Sequence, residues 1–246
     1  MNGLEVCNSP RGGLVQSSNR IFQRQDNRLR SHPNLECITV AFRNSVMYTE
    51  TVKKTPVPLF EQFCRAAVLY SDFYQSALGD NFVCNLLRND IISNSGQAME
   101  AWKKESCDAK SVEDFLRCQI EIHTLDKIKS NPSSAVIKFL WTVRATNFIQ
   151  YFIENLISAT GEDLRCSARD AYNKSLRPYH GFVKIGIATM AFKLIPSKTN
   201  LILSLGYTDV DSGIDALKKL TSASKPCIDQ INELIEKYGC NFKNKV

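Results

Sequence analysis

The sequence predicts an all-α fold of about eight helices around a single core. Three observations carry that prediction. From about residue 35 onward, apolar residues recur every third or fourth position. No segment alternates convincingly at period two. No repeat of fixed period runs through the chain, which excludes a solenoid. The composition fits an ordinary globular protein: 246 residues, 43% hydrophobic and 23% charged. That length supplies one large domain with a sizeable core.

Residues 1–34 read differently. They are rich in Asn, Ser, Gln, Arg and Gly, and Arg11, Arg20, Arg24, Arg28 and Arg30 outweigh Glu5 and Asp26. This predicts a disordered basic tail carrying half of the chain's net charge of +6. The domain is expected to span residues 35–246.

Ile38, Phe42 and Val46 mark a first helix, and Pro56 and Pro58 interrupt the pattern. Leu59, Phe60, Phe63, Ala67 and Tyr70 begin a second helix. Phe82, Leu86, Leu87, Asp90, Ile91 and Asn94 form a third, with Ser95-Gly96 a candidate bend before Trp102. Ser111 with Asp114 resembles a capping box opening the next. Pro132-Ser133-Ser134 opens the most apolar helix, with Ile137, Leu140, Trp141, Phe148, Phe152 and Leu156 in register and Gly161 as its stop. A helix apolar around most of its circumference belongs in a core. A pair over 163–195 follows, with Pro178 as a kink or break. The last two helices are expected to start near Asp209 and Pro226.

Enzyme signatures are missing: no phosphate-binding Gly-rich loop, no nucleophile elbow, no H-E-x-x-H. With three histidines, a multi-histidine metal centre is not expected, nor is a cofactor. The nine cysteines are never closer than 11 residues apart, so no C-x-x-C zinc pair exists. They read as buried, reduced thiols in a reducing compartment. The N-terminus lacks an apolar signal core. The best apolar stretch, Phe182 to Ile195, is short and carries Lys184 and Lys193. A cytoplasmic, monomeric protein is expected. The mild positive charge suits brief contact with an anionic membrane. A nucleic-acid partner would rest on the tail alone.

Three polar features sit in apolar helices. Asp90 and Asn94, one turn apart, share a helix face and together accept and donate several hydrogen bonds. The alternative is a solvated face ending at Asn94-Ser95-Gly96. Trp141-Thr-Val-Arg144 offers an indole to stack on a sugar ring and a guanidinium for a headgroup or core carboxylate. The alternative for Trp141 is core packing. Tyr179-His180-Gly181-Phe182 places a histidine beside a proline break, where it points into a cavity or is a satisfied structural group.

Taken in order, these features resemble the glycolipid transfer protein superfamily. That family carries Asp-x-x-x-Asn or Asp-x-x-x-Lys, then W-x-x-R with an apolar F-I-Q-like stretch, then A-Y-x-x-x-L-x-x-Y-H-x-W/F. Here they read Asp90-IIS-Asn94, Trp141-TV-Arg144 with Phe148-Ile149-Gln150, and Ala171-Tyr172-NKS-Leu176-RP-Tyr179-His180-G-Phe182. The resemblance covers residues 36–246. It implies an all-α two-layer sandwich that moves one sphingolipid between membranes, with a surface headgroup site and an apolar tunnel for the ceramide chains. By the resemblance, Asp90 bonds the ceramide amide and Asn94 bonds sugar hydroxyls. Trp141 stacks under the first sugar, His180 bonds the ceramide carbonyl, and Arg144 supports the site. Gln97 stands where glycolipid-specific members carry Lys, and is a further headgroup candidate. Asn94 stands where ceramide-1-phosphate members carry Lys, and Lys138 and Lys184 are further cations on helical spacing. The headgroup residues therefore favour a neutral sugar over a phosphate. The alternatives are ceramide-1-phosphate transfer, or a helical interaction protein that kept the fold without transfer. Trp102, Lys103 and Lys104 are candidates for membrane docking.

Overall fold

The structure is a computed structural model and describes residues 34–50, 54–105 and 110–243. The reading of residues 1–34 as a basic tail falls almost wholly outside the described residues. Residues Pro33–Val246 form one compact unit. Among the described residues the helices are α1 (Leu35–Asn44), α2 (Phe60–Tyr70), α3 (Phe73–Leu78), α4 (Phe82–Lys104), α5 (Val112–Ile122), α6 (Leu125–Ser130), α7 (Ala135–Ser158), α8 (Arg165–Ser175), α9 (Phe182–Leu194), α10 (Lys198–Ser204) and α11 (Val210–Lys237). The helix count exceeds eight because α3, α6 and α10 are short pieces inside connections. None of the described helices is long and apolar enough to cross a membrane.

Local chemistry sets the starts. Asn34 Oδ1 accepts from the Glu36 and Cys37 amides, Ser134 Oγ from Ile137 and Asp209 Oδ1 from Ser212. Each satisfies an amide that the helix itself leaves unpaired. Ser111 Oγ accepts from the Asp114 amide at 3.0 Å and donates to the Asp114 carboxylate at 2.7 Å, as the capping pattern predicts. Pro178 breaks the chain as expected, sitting in a 3-10 turn, Arg177–Tyr179, between α8 and α9.

Four expectations are corrected. The first apolar segment stops at Asn44, and Val46–Tyr48 instead pairs antiparallel with Pro56–Pro58. Val57 is the one residue of the latter strand with an amide hydrogen, which confines it to a short ribbon. Pro226 does not start a helix: α11 runs through it. The buried stripe Leu217, Leu220, Ser224, Cys227, Ile228, Ile231 continues across the proline, and this packing offsets the lost hydrogen bond. The stop for α7 comes at Ser158, before Gly161. Cys64, Cys84, Cys227 and Cys240 are buried thiols, but Cys37 and Cys166 are exposed and Cys118 is disulfide-bonded.

The core is centred on α7, which packs against α2, α4, α8 and α11. A buried amide on α7 links its neighbours. Gln150 Oε1 accepts from Tyr70 and Ser224, at 3.2 and 2.6 Å, tying α2 and α11 to α7. Phe60 stacks on Phe115 and meets Trp102 edge-on at 5.3 Å. Trp102 is half-buried and packs against the core, Lys103 pairs with Glu61, and Lys103 and Lys104 are exposed.

Candidate functional site

The site forms where α4, α7, α8 and α9 meet. Ser95 on α4 and Thr142 on α7 share a hydrogen bond at 3.2 Å, which sets the two helices in register. α4 runs unbroken through Ser95-Gly96, so Asn94 is not at a helix stop. It is also buried, at 8% exposed, so the solvated-face alternative fails for Asn94, whereas Asp90 is exposed.

A cavity of about 150 Å³ opens between these helices. Leu86, Leu87, Phe148, Leu176, Ile187 and Phe192 make most of its wall, and Asp90, Tyr172, His180 and Lys184 supply the polar groups. Deeper in, a second apolar cavity of about 30 Å³ is bounded by Phe73, Leu78 and Phe152. Tyr74, Leu87, Phe148, Ala191 and Phe192 belong to both walls, so a partition of side chains separates the two spaces. Burial, with Asp90 nearby, pushes the Tyr74 phenol upward and keeps it protonated.

His180 Nδ1 lies 3.1 Å from Tyr172 Oη. The His180 ring stacks on Trp141, centroids 5.7 Å apart and planes 22° apart. Burial, then Lys184 and Arg144, lowers the His180 pKa to about 4. The imidazole is therefore neutral at physiological pH. Burial also raises the Tyr172 phenol, so the tyrosine keeps its proton. When Tyr172 donates to Nδ1, the ring proton sits on Nε2, and the histidine becomes a donor suited to a carbonyl oxygen.

Trp141 stands behind this wall rather than in it. It is 8% exposed, and its ring is met by His180, by Lys184 Nζ at 4.7 Å and by Arg144 Cζ at 5.0 Å. Arg144 is 5% exposed. Its guanidinium lies 3.4 Å from the Tyr179 ring centroid and donates to the Phe242 carbonyl and to Asn241 Oδ1. Tyr179 Oη also donates to Asn241 Oδ1, at 3.3 Å. Burial lowers the Arg144 pKa to about 10. Its Nε has no hydrogen-bond partner among the described residues.

Of the sequence-predicted residues, Asp90, Trp141, Arg144 and His180 are brought together. Asn94, one turn on from Asp90, is buried and is not part of the cavity wall. Gln97 is exposed and donates to Ser93 Oγ at 2.7 Å, away from the cavity. Sequence reasoning gave Tyr172 no role, although it lies inside the A-Y-x-x-x-L run. Nothing in the sequence signals that Asn241 and Phe242 close under Arg144, because that contact joins residues 97 and 98 positions apart.

The glycolipid transfer protein family model matches residues 58–207. Glycolipid transfer protein 3 of Arabidopsis thaliana is 24% identical over 155 residues, which are 62% of this chain and 65% of that protein. The match thus spans just under two thirds of that relative's length. Among solved structures, the apo form of mouse ceramide-1-phosphate transfer protein superimposes with a TM-score of 0.70 at 17% identity, covering 84% of this chain and 97% of that one. The domain by which FAPP2 selects simple glycosphingolipids using the GLTP-fold gives 0.69 at 16% identity, covering 86% and 99%. At these identities the structural likeness shows the fold, an all-α helical sandwich.

Proposed function

Because this chain belongs to the glycolipid transfer protein family, we propose that it carries one sphingolipid between membranes, and that the lipid is a neutral glycosphingolipid. The observation that supports this is an apolar cavity whose polar groups are Asp90, Tyr172, His180 and Lys184. A ceramide amide needs one acceptor for its N–H and one donor for its carbonyl. Asp90 supplies the first and His180 Nε2–H the second. Two hydrocarbon chains are too large for spaces of about 150 and 30 Å³, so loading parts the partition around Phe148 and Phe192. Each methylene buried there contributes about 0.8 kcal/mol.

The sugar preference rests on charge. A phosphate monoester calls for two or three converging cations. Among the described residues Lys184 is the one cation in the cavity wall, and Arg144 is turned inward to the Phe242 carbonyl. A second reading, ceramide-1-phosphate, is favoured by one observation: Arg144 is buried and its Nε is unpartnered.

The test is vesicle-to-vesicle transfer of glucosylceramide against ceramide-1-phosphate. Sugar-headed lipid should move faster. Movement of the phosphate-headed lipid alone would replace the first reading with the second. Asp90→Val should lower transfer of either by tenfold or more, since a hydrogen bond to a charged group contributes about 1.5–3 kcal/mol.

A further inference from the structure

A further cavity, of about 370 Å³, lies on the outer side of α8 and α9. Four cations line it: Arg165 and Arg169 from α8, Arg177 from the 3-10 turn and Lys193 from the end of α9. Arg165 is neutralised by Asp163 at 2.8 Å. Arg177 makes only a long bond to Asn173 Oδ1, 3.5 Å. Arg169, Arg177 and Lys193 are all exposed, and none of them forms an ion pair with another described residue. Three cations that stand outside any ion pair among the described residues, from three elements, thus face one space. Tyr172 and Phe192 belong to this wall as well as to that of the lipid cavity.

α9 shows what lies against this space. Successive residues turn about 100°, which sorts the helix into three faces. Lys184, Ile187, Ala188 and Ala191 look into the lipid cavity. Ile185, Thr189 and Lys193 look into the basic cavity. Val183, Met190 and Leu194 lie on the remaining face, 79%, 59% and 43% exposed. Such an uncovered apolar face marks an interaction surface. A bilayer lying against it has the lipid cavity on one side and the basic cavity on the other.

We propose that the cavity formed by Arg165, Arg169, Arg177 and Lys193 is a phosphate-binding subsite for the headgroup of an anionic phospholipid in the membrane on which α9 docks, separate from the lipid the protein carries. Arginine forks match phosphate oxygens bidentately, and the adjoining apolar face supplies the bilayer contact that a free phosphate ester does not use. The proposal rests on the membrane docking that lipid transfer requires. It adds a subsite that fixes which membranes hold the protein and how α9 is oriented on them.

The experiment measures binding of the full chain to phosphatidylcholine vesicles, with and without phosphatidylserine, and separately measures sphingolipid transfer between phosphatidylcholine-only vesicles. R169Q/R177Q is compared with K218Q/K219Q, which removes the same charge elsewhere on the surface. Thermal melts check that both variants are folded. A basic residue near an anionic surface contributes about fivefold in affinity, so R169Q/R177Q should bind phosphatidylserine vesicles about 25-fold more weakly. K218Q/K219Q should change that binding much less. Equal losses in the two variants would reduce the effect to diffuse charge and overturn the subsite. Arginine-dependent binding of soluble glycerol phosphate without arginine-dependent vesicle binding would also overturn it, in favour of a free phosphate ligand. Transfer that proceeds with no arginine dependence of vesicle binding sinks the subsite alone. Arginine-dependent vesicle binding with no transfer of any sphingolipid upholds the subsite and sinks the transfer reading.

Discussion

Tyr172 Oη and His180 Nδ1 are 3.1 Å apart, and that bond decides what the histidine offers a ligand. Tyr172→Phe leaves the ring free to hold its proton on either nitrogen. The anchoring bond is then lost and the tautomer that donates from Nε2 is no longer enforced. Lipid affinity should fall about fivefold, the worth of one hydrogen bond near 1 kcal/mol, as read by titration of a fluorescent sphingolipid. The depressed His180 pKa has a sign. In the unfolded chain the imidazole protonates near 6.5, whereas in the folded protein it does so near 4. Between those values the unfolded state binds more protons, so stability falls as pH drops from about 6.5 toward 4. Thermal melts between pH 7 and 5 should show a steeper loss for the wild type than for His180→Gln. Both effects arise from neighbours that the spacing of the motif does not describe.

Two helical glycines show how an element's neighbours decide a substitution. Gly96 lies inside α4, and a methyl group there would meet nothing within 4 Å. Gly96→Ala should therefore stabilise the fold by about 0.5–1 kcal/mol, the helix-propensity difference between the two residues. Gly213 sits in the first turn of α11, where a methyl group would collide with the Ile202 side chain of α10. Gly213→Ala should destabilise by about 1–3 kcal/mol through overpacking. Denaturant midpoints of the two variants should move in opposite directions. In the sequence, both glycines interrupt apolar helical patterns in the same way.

At the scale of the whole molecule, lipid exchange requires the cavity mouth to meet a membrane. Phe182 is 95% exposed and Phe82 79%; each is the first residue of a helix lining the cavity, α9 and α4. Large apolar groups left uncovered at that place suit insertion among lipid headgroups. Phe182→Ser should cut the transfer rate and vesicle binding several-fold while leaving the melting temperature unchanged, since the side chain packs against nothing. A matching loss of melting temperature would instead make Phe182 a structural residue. Trp102, which the sequence suggested for docking together with Lys103 and Lys104, is half-buried. Its indole packs on Phe60, and the spacing of the helix does not tell an inward tryptophan from an outward one.

The sequence by itself determined the helical class, most helix starts and the family. It also picked out Asp90, Asn94, Trp141, Arg144 and His180, with Gln97 beside them, as one candidate set. Helical period and capping act over a few residues, so they are written locally. The three ordered motifs preserve residue types in sequence order whatever lies between them. Only the tertiary structure decided which of those residues reach a cavity. Asn94 and Gln97 share a helix with Asp90, yet one is buried away from the cavity wall and the other bonds Ser93 outside it. It also decided that Pro226 lies inside a helix, because packing along α11 outweighs a local breaking tendency. And it set the chemistry of Arg144 and His180, whose pKa values of about 10 and 4 come from burial. Desolvation depends on every element that closes over a group, including the carbonyl of Phe242, 98 residues away from Arg144 along the chain.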